Sequence, residues 1–146
     1  MTTIAYKDGA LAADTAMCQG GVMMGAVVKI ARRADGDMCG SAGDAAYNAA
    51  FRDWFLLGEN GPAPEAKQED NAIDRGVIFR KSGKIEVFEP RGKFSVQAPY
   101  FALGSGKESA LGAMFAGADA ETAVRAAIQF DPHTDGEITV LKCGVY

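Results

Sequence analysis

Residues 2–15 read Thr2-Thr3-Ile4-Ala5-Tyr6-Lys7-Asp8-Gly9-Ala10-Leu11-Ala12-Ala13-Asp14-Thr15. Asp8-Gly9 is a strong two-residue hairpin signal, because both central residues of the favoured turn need positive φ. Thr2–Lys7 and Ala10–Thr15 are therefore expected to be paired strands. Alanine is a weak strand former, so the turn carries the assignment. With Lys7 opposite Ala10, the register runs back through Tyr6 and Leu11, Ala5 and Ala12, Ile4 and Ala13, to Thr3 and Asp14. The hairpin thus returns a carboxylate to within one pair of Thr2.

Thr2 follows the initiator methionine, and Met1 is expected to be removed ahead of so small a residue. One residue then carries a nucleophile and a base, its hydroxyl and its α-amine. Such an amine titrates at roughly 7.7–8.0, so it can accept a proton near neutral pH. A threonine paired with its own amine is a known activated nucleophile for acyl transfer. Lys29 is a candidate cation at the end of the third strand. A buried lysine is costly unless paired, and Asp14 is its obvious partner. Taken one at a time, the plainer readings are that Asp14 is a solvated carboxylate and that Lys29 caps a strand edge.

The chain has 146 residues, enough for a single domain, residues 1–146, with one real core. Its net charge of −4, without a basic block, gives no electrostatic case for nucleic acid or an anionic membrane. No apolar run is long enough to span a bilayer, and the first residues lack the pattern of a signal peptide. Cys18, Cys39 and Cys143 are widely spaced, with no Cys-x-x-Cys and a single histidine, His133. That argues against a zinc site or a disulfide framework and suits a reducing cytoplasm. No cofactor or metal is expected.

Further along, Val22–Ala31 reads as one strand, followed by a turn at Arg32–Asp37 and a short segment into Gly40-Ser41-Ala42-Gly43. From Asp44 the period becomes helical through Ala46, Ala49, Ala50, Trp54 and Leu57, and Gly58 marks the stop. Glu59–Asn71 reads as a surface loop. Gly76–Phe79 and Lys84–Phe88 flank a second hairpin at Lys81-Ser82-Gly83, and Lys93–Gln97 and Tyr100–Leu103 are further strands. Helices are expected over Lys107–Phe115 and Ala120–Phe130, the latter capped by Asp119, with a last strand at Glu137–Cys143. Strands, helix, strands, two helices and a strand indicate an α+β protein built on antiparallel sheets.

Other motifs fail on inspection. Gly104-Ser105-Gly106-Lys107 resembles part of a phosphate loop, but Phe101 stands where the first glycine should be. Glu108 replaces the residue needed for magnesium. His133 has no partner at ligand or triad spacing. Met17, Met23 and Met24 read as packing residues.

In order along the chain, Thr2-Thr3-Ile4-Ala5, Ala13-Asp14-Thr15, Val28-Lys29-Ile30, Gly40-Ser41-Ala42-Gly43, Leu103-Gly104-Ser105-Gly106 and Asp131-Pro132-His133-Thr134 together resemble the proteasome β-subunit and HslV peptidase family of N-terminal nucleophile hydrolases. The resemblance runs over nearly the whole length. It implies a four-layer αββα Ntn-hydrolase sandwich, here shortened, because Glu59–Asn71 is too short and proline-rich to supply the family's second long helix. The first hairpin is also shorter than the family's, and Asp135 stands where a Gly-Gly often follows the serine.

By this resemblance Thr2 is the nucleophile, Asp14 orients Lys29, and the Gly43 N–H faces the oxyanion. Ser105, Asp131 and Thr134, the last in place of a serine, form a polar network around the amine. The implied activity is that of a threonine peptidase acting on peptides or unfolded proteins in a homo-oligomeric ring, fed by an ATP-dependent unfoldase. Two other readings stand beside it: a catalytically silent assembly subunit, and an Ntn amidase acting on a small molecule.

Overall fold

Asp8 and Gly9 take φ of 51° and 75°, as the tight turn between two short strands requires. Around that turn, β1 (Thr3–Lys7) and β2 (Ala10–Ala13) pair with Lys7 opposite Ala10 and Ile4 opposite Ala13, the register expected from the sequence. The computed structural model describes residues 2–70 and 72–143, so Met1, and the question of its removal, lie outside the described residues. By their internal contacts the described residues fall into two compact units, one of residues 2–29 and 98–142, the other of 30–97 with Cys143.

The first unit is built on an antiparallel sheet in the order β12-β1-β2-β13, with β12 at Tyr100–Gly104 and β13 at Thr139–Lys142. Helices α2 (Lys107–Phe115) and α3 (Ala120–Phe130) pack on this sheet and on each other. Ala5, Ala12 and Ala102 form a cross-strand row beneath them, and Ala110, Ala123 and Val124 face it from the helices. Small side chains on both surfaces let helix and sheet approach closely, which explains why alanines poor in strand propensity serve here. Asp119 caps α3 by accepting the Thr122 N–H at 2.8 Å. Lys7 Nζ donates to the carbonyls of Met114 and Ala118, tying the end of β1 to the end of α2.

A separate two-stranded ribbon, β3 (Ala16–Gln19) and β4 (Val22–Ala26), completes this unit. Here the sequence reading needs correcting. Val22–Ala31 is not one strand: it stops at Ala26, and β5 (Ile30–Arg32) belongs to the other unit. The second strand likewise ends at Ala13, where Asp14 turns its amide toward the Thr3 carbonyl. Gly20 and Gly21, both at positive φ, make the turn between β3 and β4 that the sequence reading passed over.

The second unit is a five-stranded antiparallel sheet in the order β11-β10-β9-β6-β5, with β6 at Met38–Ala42, β9 at Arg75–Phe79, β10 at Ile85–Glu89 and β11 at Gly92–Val96. Helix α1 (Ala45–Leu56) packs on it through Tyr47, Phe51 and Phe55. Gly58, at φ 97°, follows the helix as expected. Between α1 and β9 the described residues contain no helix, in keeping with a shortened fold. That stretch is not wholly loop, however: β7 (Gln68–Glu69) pairs with β8 (Ala72–Ile73), a ladder too short and polar to leave a periodic signal. The class is α+β, and every strand pair is antiparallel among the described residues.

Candidate active site

Asp14 is fully buried just past the end of β2, and three groups converge on it. The Thr3 N–H donates to Oδ1 at 3.0 Å and the Asp135 N–H to Oδ2 at 3.1 Å. Lys29 Nζ lies 3.0 Å from both carboxylate oxygens. A carboxylate with this many donors is satisfied as an anion, which is what makes its burial tolerable. Lys29 follows the β3–β4 ribbon and is itself buried, at 8% exposure. Burial pushes its ammonium below the usual lysine range, and the charge and hydrogen bonds of Asp14 only partly offset this. Asp131 and Cys18 also lie within electrostatic range of Lys29.

On the other side of the chain start sits a hydroxyl and carboxylate network. Ser105 Oγ lies 2.6 Å from Asp131 Oδ2 and 3.3 Å from the carbonyl oxygen of Thr2. A serine has one proton, so the shorter, charge-assisted bond to Asp131 takes it. Thr134 donates to the same Asp131 oxygen at 2.5 Å, and the His133 N–H donates to Oδ1 at 3.1 Å. Burial alone would raise the Asp131 carboxyl, but the donors from Ser105, Thr134 and His133 outweigh it and hold it below its ordinary value. His133 thus contributes through its backbone N–H in this network.

Local glycines make room for these contacts. Gly104 is at φ 101°, and a Cβ there would collide with the Thr2 carbonyl. A Cβ on Gly106 would strike the Thr3 hydroxyl and come within 2.8 Å of the Ala127 Cβ. Both positions therefore require glycine for close approach.

The structure brings Thr2, Asp14, Lys29, Ser105, Asp131 and Thr134 together within the first unit. Gly43 belongs to the second unit, just before α1, at φ 126°. There the Asp74 carboxylate accepts the N–H groups of Asp44 and Lys67, both at 2.9 Å, and a Cβ on Gly43 would meet that carboxylate. Sequence reasoning did not find Asp74, the Asp135 amide or the Thr3 hydroxyl as members of these arrangements. Only Thr3 left a signal, its place opposite Asp14 in the hairpin register. Among the described residues no group of three or more His, Cys, Asp or Glu side chains could hold a metal ion. No described helix is long and apolar enough to cross a membrane.

No protein-family model and no curated protein matches the chain. Solved structures do. BPH of Thiobacillus denitrificans in complex with epoxomicin is 22% identical, with a TM-score of 0.67 over 99% of each chain. BPH itself is 24% identical, with a TM-score of 0.67 over 98% of each. Eukaryotic HslV from Trypanosoma brucei is 17% identical, with a TM-score of 0.65 over 97% of this chain and 98% of that one. These neighbours are HslV- and proteasome-type peptidases, and the chain has their fold.

Proposed function

We propose that this chain is an N-terminal threonine peptidase. The reading is carried by one observation: the residue after Thr2 is bound to a buried aspartate that holds a buried lysine, while Ser105, hydrogen-bonded to Asp131, lies beside the Thr2 carbonyl. With Met1 removed, the Thr2 hydroxyl attacks the scissile carbonyl and the α-amine, directly or through one water, takes the proton. Lys29 supplies positive potential that favours alkoxide character and keeps the amine's pKa down by like-charge repulsion. Asp14 fixes Lys29. Ser105, Asp131 and Thr134 orient the amine, and the oxyanion donor, Gly43, rests on the sequence resemblance alone. The α-amine returns the hydroxyl's proton to the leaving amine as the C–N bond breaks, and water, deprotonated by the same α-amine, then hydrolyses the ester and frees the Thr2 hydroxyl.

The same reading makes the substrate a peptide or unfolded protein and the working form a homo-oligomeric ring in the cytoplasm, served by an ATP-dependent unfoldase. Fold likeness to HslV supports it. The test is a mass spectrum of the purified protein, before and after a peptide epoxyketone. A chain that has lost Met1 and gains one adduct, absent in Thr2→Ala, is the expected result. A chain that keeps Met1 in full would sink the catalytic reading and leave an assembly subunit. Turnover of simple amides without any peptide cleavage would leave the amidase.

A further inference from the structure

Thr3 lies between the two halves of the site and is fully buried. Its N–H binds Asp14, its carbonyl accepts the Asp14 N–H at 3.3 Å, and its hydroxyl oxygen lies 2.6 Å from that of Thr134. Hydrogen-bond direction follows from counting protons. Thr134 has one, committed to Asp131 at 2.5 Å, so the short contact between the two threonines requires Thr3 to donate. The result is a directed chain from the Thr3 hydroxyl through the Thr134 hydroxyl to the Asp131 carboxylate. Each bond polarises the next, and the bond to the carboxylate is the strongest. Gly106 pins this arrangement, because any side chain there would meet the Thr3 and Thr134 oxygens.

We infer that Thr3 is a positioning residue: its hydroxyl fixes Thr134 as a donor to Asp131, and so keeps Asp131 ionised beside the reacting end of the chain. This deepens the peptidase reading and rests on it for its catalytic consequence. The hydrogen-bond relay itself can be tested without activity.

The experiment follows the Asp131 carboxyl by carbon NMR through a pH titration, together with kcat and KM on a fluorogenic peptide. The variants are Thr3→Ala, Thr3→Ser, Thr134→Ala and the Thr3→Ala/Thr134→Ala double variant. Thr3→Ala is expected to raise the Asp131 pKa and lower kcat by about tenfold or more with little change in KM, the size of a weakened bond to a charged group. Thr3→Ser, which keeps the hydroxyl, restores both readouts. In the Thr134→Ala background, removing the Thr3 hydroxyl adds nothing further. An unmoved Asp131, a Thr3→Ser as impaired as Thr3→Ala, or additive effects in the double variant would each overturn the inference. If Thr3→Ala does not fold, the near-isosteric Thr3→Val, which keeps the bulk and removes only the hydroxyl, decides it: it must raise the Asp131 pKa where Thr3→Ser leaves it unmoved, and an unmoved Asp131 in both overturns the inference. A shift in Asp131 with no peptide turnover in the parent protein would uphold the relay and reject the peptidase.

Discussion

Lys29 places its ammonium 3.0 Å from both oxygens of Asp14, with side-chain exposures of 5% and 0%. Neither charge has water to fall back on, so the pair stands or falls together. Removing one partner strips the other buried charge of this ion pair, at a cost of about 3–5 kcal/mol. Asp14→Leu and Lys29→Met are each expected to lose about that much in urea unfolding. Asp14→Leu/Lys29→Met, which buries no charge, should recover much of the loss while remaining inert toward an epoxyketone. A double variant as unstable as the sum of the singles would show that the two residues are not coupled.

The same pair sets the alkaline side of the pH profile. Burial holds the Lys29 ammonium below its ordinary value of 10.5. If its charge assists Thr2, activity falls as Lys29 loses its proton, beginning below the pH of an exposed lysine. Stability moves the other way in that window. The unfolded chain binds the Lys29 proton more tightly than the folded one, so this group's contribution rises with pH between its lowered pKa and 10.5. Below both values its contribution is constant. A pH–rate profile, with urea midpoints across the same range, checks both limbs. Activity that persists well above pH 10.5 would remove Lys29 from the mechanism.

How far the sequence carried these conclusions differs by element. The first hairpin was legible because Asp8-Gly9 dictates one turn and the turn dictates the register. That in turn places Thr3 against Asp14. The β3–β4 ribbon was not legible, because Val22, Met23 and Met24 form an apolar run that would ordinarily signal a buried strand, yet they are 60%, 49% and 58% exposed. The Asp14 and Lys29 partnership could be inferred from the cost of burying either alone. The Thr3 hydroxyl could not, since sequence places a residue on a strand but does not say which neighbour its rotamer reaches. Nor does any local pattern announce that the Asp135 amide will turn toward Asp14.

Gly104 gives a test in which strain and collision separate. Its φ of 101° is close to that of Gly83, at 96°, but a Cβ on Gly83 meets nothing within 4 Å, whereas one on Gly104 meets the Thr2 carbonyl. Backbone strain alone should cost each alanine variant about 1–3 kcal/mol. Gly104→Ala must also displace the chain start, so its loss should exceed that of Gly83→Ala by about 1 kcal/mol or more. Epoxyketone labelling should fail only in Gly104→Ala. Equal losses, with labelling intact in both, would mean that the Thr2 position is not held by this contact.

Tyr47 makes the opposite kind of prediction. Its ring packs 5.9 Å from that of Phe51 on the inner face of α1, and it is only 6% exposed. Its hydroxyl is buried without a hydrogen-bond partner among the described residues. Burial, reinforced by the negative charge of Asp74, raises the phenol's pKa, so the group stays neutral and contributes only an unmet donor and acceptor. Such a group costs about 1–3 kcal/mol relative to one that is paired. Tyr47→Phe keeps the ring and removes the cost, so it is expected to raise stability by about 1 kcal/mol in urea unfolding. Removing the hydroxyl should leave the Asp74 contacts to Asp44 and Lys67 in place, because neither involves Tyr47. A loss of stability would mean that the hydroxyl is satisfied in solution, and ordered water is the group able to do it.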